Sequence, residues 1–249
     1  MDGFLNSPFI ADLIILFKTA LYNIYFIIAA VPLGFLFAVV LALAKNSKNK
    51  FISLPARIYI YAFRGSPLFI QFFMFYSISL ALNPLVWKPL GLDWLMLSPL
   101  FIGPFVLMLN TAAYSAEIFY GALQSVPKGE LEAARAVGMS KKQEFRTAVW
   151  PNMLRLAWPA YTNEIVFLFH STALVYFTMP VINKQQDLMN KAGELFEKDY
   201  NLFLHFSAAA LYFLVISIVI FYICNLIYKR LTRHLNVDVK LKIKPNYTR

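Results

Sequence analysis

Residues 116–140 read AEIFYGALQSVPKGELEAARAVGMS. The stretch is a charged, amphipathic interruption of an otherwise apolar chain. Glu130, Glu132 and Arg135 stand among the small residues Ala133, Ala134, Ala136 and Gly138. Small side chains let a second backbone come close, and the charged neighbours do not suit lipid. The pattern therefore predicts a docking surface for another protein. Pro127 opens a short helix there and Gly138 closes it. Ser140 and Gln143 then form a Ser-x-x-Gln capping box for a second helix. That helix is expected to end by Trp150, because Pro151 disfavours continuation.

The flanks of this stretch settle the fold class. Of the 249 residues, 59% are hydrophobic, 17% aromatic and only 14% charged; a soluble domain has about a quarter charged residues. A membrane span needs roughly 20 apolar residues. Five stretches are expected to cross, at 20–44, 64–82, 95–118, 157–180 and 203–228, with the second the shortest. The expectation is an all-α integral membrane protein, one transmembrane domain over 1–249, with a polar loop at 127–151.

Basic residues in short loops orient such a chain. Lys45, Lys48, Lys50 and Arg57 follow the first span. Lys128, Arg135, Lys141, Lys142, Arg146 and Arg155 follow the third. Lys229, Arg230, Arg233, Lys240, Lys242, Lys244 and Arg249 make a basic tail, 229–249. The opposite loops hold only Lys18, Lys88, Lys184, Lys191 and Lys198. The first group is read as cytoplasmic, which puts the N-terminus outside and the C-terminus inside. Topology then accounts for the net charge of +10, and nucleic-acid binding is not needed to explain it. The tail is read as attracted to anionic lipid head groups.

Along the chain, residues 1–19 are expected as an outside segment with a short interfacial helix. Pro32 and Gly34 lie within the first span, where neighbouring helices can satisfy the backbone. Residues 45–50 read as a turn. Ser66 is expected to cap the second span, with Pro67 in its first turn, and Asn83-Pro84 to end it. The fourth loop, 183–200, has room for a small outside helix. The first apolar run is preceded by Asp2 and Asp12 and lacks the basic start of a cleavable signal. No internal repeat is seen. Cys224 is alone in the last span, and His170, His205 and His234 are scattered without metal-ligand spacing.

No Gly-rich phosphate loop and no nucleophile–base arrangement is present, so the chain is expected to be no enzyme. Polar residues within spans are the candidates for function, because hydrocarbon disfavours them. Asn110, Tyr114 and Glu117 recur on one face of the third span. Asn163 and His170 share a face of the fourth, beside Glu164. A plainer reading stands next to each. Glu117 and Glu164 can pair with Arg64 or Arg155 and merely lock helices. His170 and Asn110 can be interhelical hydrogen-bond glue. Arg64 can be an interface anchor.

The 116–140 stretch resembles the Glu-Ala-Ala loop of ABC-importer permeases. That motif runs Glu-Ala-Ala, three residues, Gly, nine residues, then Ile-x-Leu-Pro. Glu132, Ala133, Ala134, Gly138 and Pro151 match at that spacing, whereas Ala148 and Trp150 replace the Ile and Leu. YAFRGSPLFIQFFMFY, 61–76, resembles the second-span segment of polar amino-acid ABC permeases, with Ser66 for a Thr and Gln71 matching. PAYTNEIVFLFHSTAL, 159–174, is similar to the M-type subunits of histidine and lysine-arginine-ornithine importers and their opine-importing relatives, chiefly at Asn163, Glu164, His170 and Ser171.

The resemblance implies a type I ABC importer permease fold in a bacterial inner membrane. It implies two permease subunits, this one paired with a Q-type partner, a dimer of ATPase subunits below and a periplasmic binding protein above. It implies docking of the ATPase at Glu132, Ala133, Ala134, Arg135 and Gly138. ATP and Mg would be bound by the ATPase and no cofactor by this chain. The substrate would be an amino acid, cationic or an opine; glutamine or another neutral polar amino acid is the alternative. Asn110, Glu117, Asn163, Glu164 and His170 are the pathway candidates. Two rivals come from other classes, a secondary transporter or channel and a structural scaffold.

Overall fold

Helix α1, Pro8–Lys45, is 38 residues long, about 57 Å at ~1.5 Å per residue. That exceeds the roughly 30 Å of a bilayer core. The computed structural model describes residues 8–180 and 186–233. Lys184, His234, the expected residues 1–7 and the tail basic residues Lys240, Lys242, Lys244 and Arg249 lie outside the described residues. Among the described residues the expected interfacial segment is not separate from the first span, because α1 runs unbroken through residues 8–19. The extra turns have a packing partner: Leu16 and Ala20 are buried against Leu188, Ala192 and Leu195.

Helix α2, Lys50–Gly65, occupies part of what was read as loop and as the approach to the second span. Asn49 starts it, its side chain accepting from Phe51 N. Ser53, Ala56 and Ile60 are buried, whereas Phe51 and Tyr61 are 92% and 82% exposed. Helix α3, Leu68–Leu82, follows. Ser66 does not cap it. Its hydroxyl donates back to Ala62 O and so finishes α2, leaving Pro67 to redirect the chain. Asn83-Pro84 does not stop α3 either, because a wide helical turn, Asn83–Trp87, carries it on.

Helix α4, Pro99–Gln124, is capped by Ser98, which accepts from Leu100 N. The short helix α5, Lys128–Ala136, follows Pro127 as expected. Gly138 ends the turn at φ +77°, and the Ser140–Gln143 capping box is formed. The chain does not stop at Trp150. A wide turn, Phe145–Val149, leads directly into α6, Trp150–Ser171. In it Trp150 N–H bonds to Phe145 O, one residue further back than in an α-helix. Such a bulge accommodates Pro151, which lacks an N–H and would crowd a regular turn. Within the expected span at 157–180, α6 gives way to a tight turn, Thr172–Leu174, and then to a further helical turn, Val175–Thr178. Helix α7, Leu188–Asp199, is the small helix expected in the fourth loop, and α8, Leu202–Thr232, closes the described chain.

Among the described residues, four helices are long and apolar enough to cross a membrane: Asp12–Lys45, Leu68–Trp87, Pro99–Gln124 and Leu202–Thr232. Helix α6 is not among them, because Arg155, Glu164 and its other polar residues dilute its apolarity. It is instead sheltered by protein. Helix α4 lies at the centre and packs on α1, α2, α3 and α6. Ala112, Ala113, Ser115 and Ala116 on it are fully buried, which lets neighbours approach closely. The closest approach is at Gly34 of α1. A Cβ there would lie 2.6 Å from Thr111 Cγ2, so only glycine fits against that stiff, β-branched side chain. Below this point Phe35, Phe119 and Tyr161 form an aromatic knot. Above it Phe26, Phe72, Leu107 and Phe169 form the second core.

Asn23, fully buried, ties three segments. Its amide donates to Thr172 Oγ1 at 2.8 Å and accepts from Leu188 N at 3.0 Å. Next to it Asp187 caps α7, accepting from Asn190 N. Its other oxygen, Oδ2, is buried without a hydrogen-bond partner among the described residues, and burial pushes this carboxyl up to about 6.

Gly34→Ala is expected to lower stability by about 1–3 kcal/mol through overpacking, read as a lower melting temperature in detergent. A second expectation concerns pH. The folded Asp187 takes up a proton more readily than the unfolded one at 3.8. Its contribution is complete below that pH and is lost as pH rises through about 6. The melting temperature of Asp187→Asn should lack this loss between pH 4 and about 6; equal pH profiles for both proteins would refute it.

Candidate functional site

Two places bring polar side chains together. The first is inside the bundle, midway along α4. Asn110 Nδ2 donates to Gln71 Oε1 at 3.0 Å. Gln71 in turn donates to Phe63 O at 2.8 Å and to Ser66 O and Oγ at 3.1 and 2.9 Å. Gln71 thereby holds the break between α2 and α3 closed. One residue along, Thr111 donates to Glu164 Oε1 of α6 at 3.1 Å, with Ser115 Oγ 3.5 Å from Thr111. Glu164 is 8% exposed, and among the described residues no cation pairs with it. The expected ion pairs of Glu164 with Arg64 or Arg155 are thus not formed. Arg155 is taken by Asn152 Oδ1 at 2.5 Å.

Glu117 is different. Its carboxylate accepts from Lys45 Nζ at 2.6 and 2.5 Å, and Arg64 Nη1 lies 3.7 Å away. Lys45 also sits over the Tyr120 ring and Arg64 over the Tyr114 ring. Glu117 therefore joins α1, α2 and α4 as an ion-paired lock. The reading from the residues named Arg64 but missed Lys45, which was assigned to a solvated turn; the long α1 brings it back over α4. Asn163 and His170 share a face, as the spacing required, but it is the face away from Glu164. Both are exposed. His170 Nε2 is 2.8 Å from Ser217 Oγ of α8, and Asn163 borders a groove of about 400 Å³ with Trp158, Tyr222 and Asn225. Of the five pathway candidates, Asn110 and Glu164 are buried and tied to consecutive positions of α4: Asn110 is bonded directly to Gln71, and Glu164 is bonded through Thr111. Thr111 was not singled out, since a buried Thr beside Asn carries no distinguishing pattern; Gln71 was quoted only as a motif match.

The second place is α5. Glu132, Ala133, Arg135 and Gly138 are exposed. Ala134 is 7% exposed and faces this chain's own residues, so its smallness serves internal packing. Arg135 donates from Nε and Nη2 to Glu144 at 3.1 and 2.8 Å, and that hydrogen-bonded pairing holds the Glu144 carboxyl below the usual range. A groove of about 550 Å³ lies behind α5, lined by Leu43, Leu123, Leu131 and Phe145. Among the described residues no cluster of His, Cys, Asp and Glu could hold a metal ion.

The arrangement defines a multi-pass membrane protein with buried polar side chains and a small, largely exposed helix, Lys128–Ala136, between two of its long helices. Residues 30–235 match the family of binding-protein-dependent transport system inner membrane components, and the chain belongs to that family. It is similar to the histidine/lysine/arginine/ornithine transport system permease protein HisM of Salmonella typhimurium, 39% identical over 215 residues, which cover 86% of this chain and 88% of that one. It is similar to the octopine transport system permease protein OccM of Rhizobium radiobacter, 35% identical over 201 residues, 77% of this chain and 75% of the other. A solved amino acid ABC transporter with histidines superposes at a TM-score of 0.70 with 26% identity, over 86% of this chain and 93% of that one. The inward-facing MetNI methionine ABC transporter shares the fold, at a TM-score of 0.57, 19% identity, and coverage of 88% and 93%.

If Glu117 is a lock, reversing its charge should be repaired by reversing its partner. Glu117→Lys is expected to cost about 1–3 kcal/mol in a melting assay, and Lys45→Glu/Glu117→Lys to recover most of it. A double variant no more stable than the single would remove the lock.

Proposed function

We propose that the chain is the membrane-spanning permease subunit of an ATP-driven importer for cationic amino acids or opines. The observation that carries this reading is Glu164. It is a buried acid that accepts from the Thr111 hydroxyl and, among the described residues, forms no ion pair; the Asn110–Gln71 amide pair stands at the neighbouring position of α4. A positively charged side chain entering this cluster would supply the missing charge in a medium where Coulomb attraction is strong. The names of the relatives, transport systems for histidine, lysine, arginine, ornithine and octopine, agree in charge with four of those ligands. Glutamine or another neutral polar amino acid is the competing substrate, and the amide pair Asn110–Gln71 is what favours it. Asn163 and His170 are assigned a role outside this cluster.

In the same reading this chain binds no nucleotide. A dimer of ATPase subunits holds ATP and Mg and docks on Glu132, Ala133, Arg135 and Gly138. A second, Q-type permease completes the pathway, and a periplasmic binding protein delivers substrate. The N-terminus is outside and the C-terminus in the cytoplasm, following the basic loops. Nucleotide must bind more tightly to one permease conformation than to the other, since a ligand shifts an equilibrium only by its differential affinity.

The test is uptake of labelled histidine, arginine, ornithine, octopine and glutamine into proteoliposomes holding the whole transporter. Uptake of the cations should require ATP inside and binding protein outside. Glu164→Gln should lower cation uptake at least about tenfold, the equivalent of about 1.4 kcal/mol, and glutamine uptake much less. Uptake driven by an ion gradient without an ATPase would establish the secondary-transporter rival. Equal loss for cations and glutamine would take Glu164 out of substrate selection.

A further inference from the structure

The Lys128–Ala136 helix is nine residues long, and little apolar surface ties it to the rest of the chain. Of its side chains only Ala134 is buried. Two polar links supplement that contact. The Arg135–Glu144 pair is one, but Arg135 is 63% exposed, and ion pairs so open to solvent hold weakly. The other link is buried at its far end. Asn152, 7% exposed, donates its side-chain amide both to Glu130 Oε2 and to Ala148 O, the latter at 2.8 Å. Its carbonyl oxygen accepts from Arg155 Nη2 at 2.5 Å. The amide is thus used on all sides, and it stands between a carboxylate on α5 and a guanidinium on α6.

An amide suits this place. It donates two N–H groups, to Glu130 and to Ala148 O, and accepts from Arg155 at once, which an aliphatic side chain, a carboxylate or a hydroxyl with its single proton cannot do. The link also reaches a particular helix. Asn152 lies in the first turn of α6, and Glu164 lies further along the same helix, roughly 18 Å on at ~1.5 Å per residue. Pro159 lies between the two, but the helix is unbroken from Trp150 to Ser171, so a displacement of α5 delivered at Asn152 has a continuous route to Glu164 that does not pass through the exposed Arg135–Glu144 turn.

We infer that Glu130, Asn152 and Arg155 form a hydrogen-bonded strut that carries the movement of the docking helix into the helix holding Glu164. Glu130 and Asn152 are positioning residues and touch neither substrate nor nucleotide. The inference rests on the importer reading above, and on the placement of Glu164 in its pathway. It adds a mechanical prediction: loss of the strut separates hydrolysis from transport and leaves assembly alone.

The experiment uses the complete reconstituted transporter with labelled arginine, and reads arginine moved per ATP hydrolysed. Glu130→Ala and Asn152→Ala should assemble with the ATPase and keep its basal hydrolysis, while transport per ATP falls at least about fivefold, the lower bound of ordinary coupling between sites. Glu130→Gln should keep the wild-type ratio, because its amide oxygen accepts the same N–H. The double alanine variant should be no worse than the poorer single one. A wild-type ratio in Glu130→Ala overturns the inference, and so does a Glu130→Gln as defective as the alanine. If Asn152→Ala fails to assemble, the exposed Glu130 decides alone. Absence of ATP-driven arginine uptake by the unaltered complex would bring down the importer reading and this inference together. Wild-type uptake with unaffected variants brings down the inference only.

Discussion

A polar group inside a membrane bundle has no water to fall back on, so each one must be answered by a neighbouring helix. Helix Pro99–Gln124 concentrates that demand. It lies at the centre of the fold and carries Asn110, Thr111, Ser115 and Glu117 within two turns. Asn110 is answered by Gln71, Thr111 by Glu164 and Glu117 by Lys45. Those three contacts reach three different segments of the chain, and they set where each segment sits. The small residues around them, Ala112, Ala113 and Ala116, and the glycine at position 34, are what allow the helices close enough for the contacts to form.

The same constraint sorts the charged residues into two kinds. Glu117 has a cation at 2.5 Å and is satisfied by the fold itself. Glu164 accepts from a hydroxyl and, among the described residues, forms no ion pair. A buried carboxylate left without a cation is costly to keep, and such a group belongs where something else supplies the charge. This distinction separates a structural acid from a candidate substrate contact in the same bundle. Nothing in residue type separates them.

The ends of the bundle follow a different logic. The Lys128–Ala136 helix is held to its own chain by polar links and a little apolar packing, so most of its surface is exposed. On the opposite end, Leu188–Asp199 is fastened by Asn23 and by the apolar seam of Leu16 and Ala20.

Much was legible in the residues alone. Apolar runs of span length settled the membrane class, because hydrocarbon thickness sets the length of a crossing helix. Pro127, Gly138 and the Ser140–Gln143 box settled the two short helices of the loop at 127–151, because caps and left-handed turns are local chemistry. The motif around Glu132 to Gly138 settled the family. Tertiary structure decided the rest. Pro151 did not end a helix, since a wide turn absorbed it; Ser66 finished one helix and did not start the next. The pairing of Glu117 with Lys45, the seclusion of Glu164 with Thr111, and the turning of Asn163 and His170 to the other face depend on how helices lean on one another. Spacing reports which side chains share a face of one helix; it cannot report which neighbour that face meets.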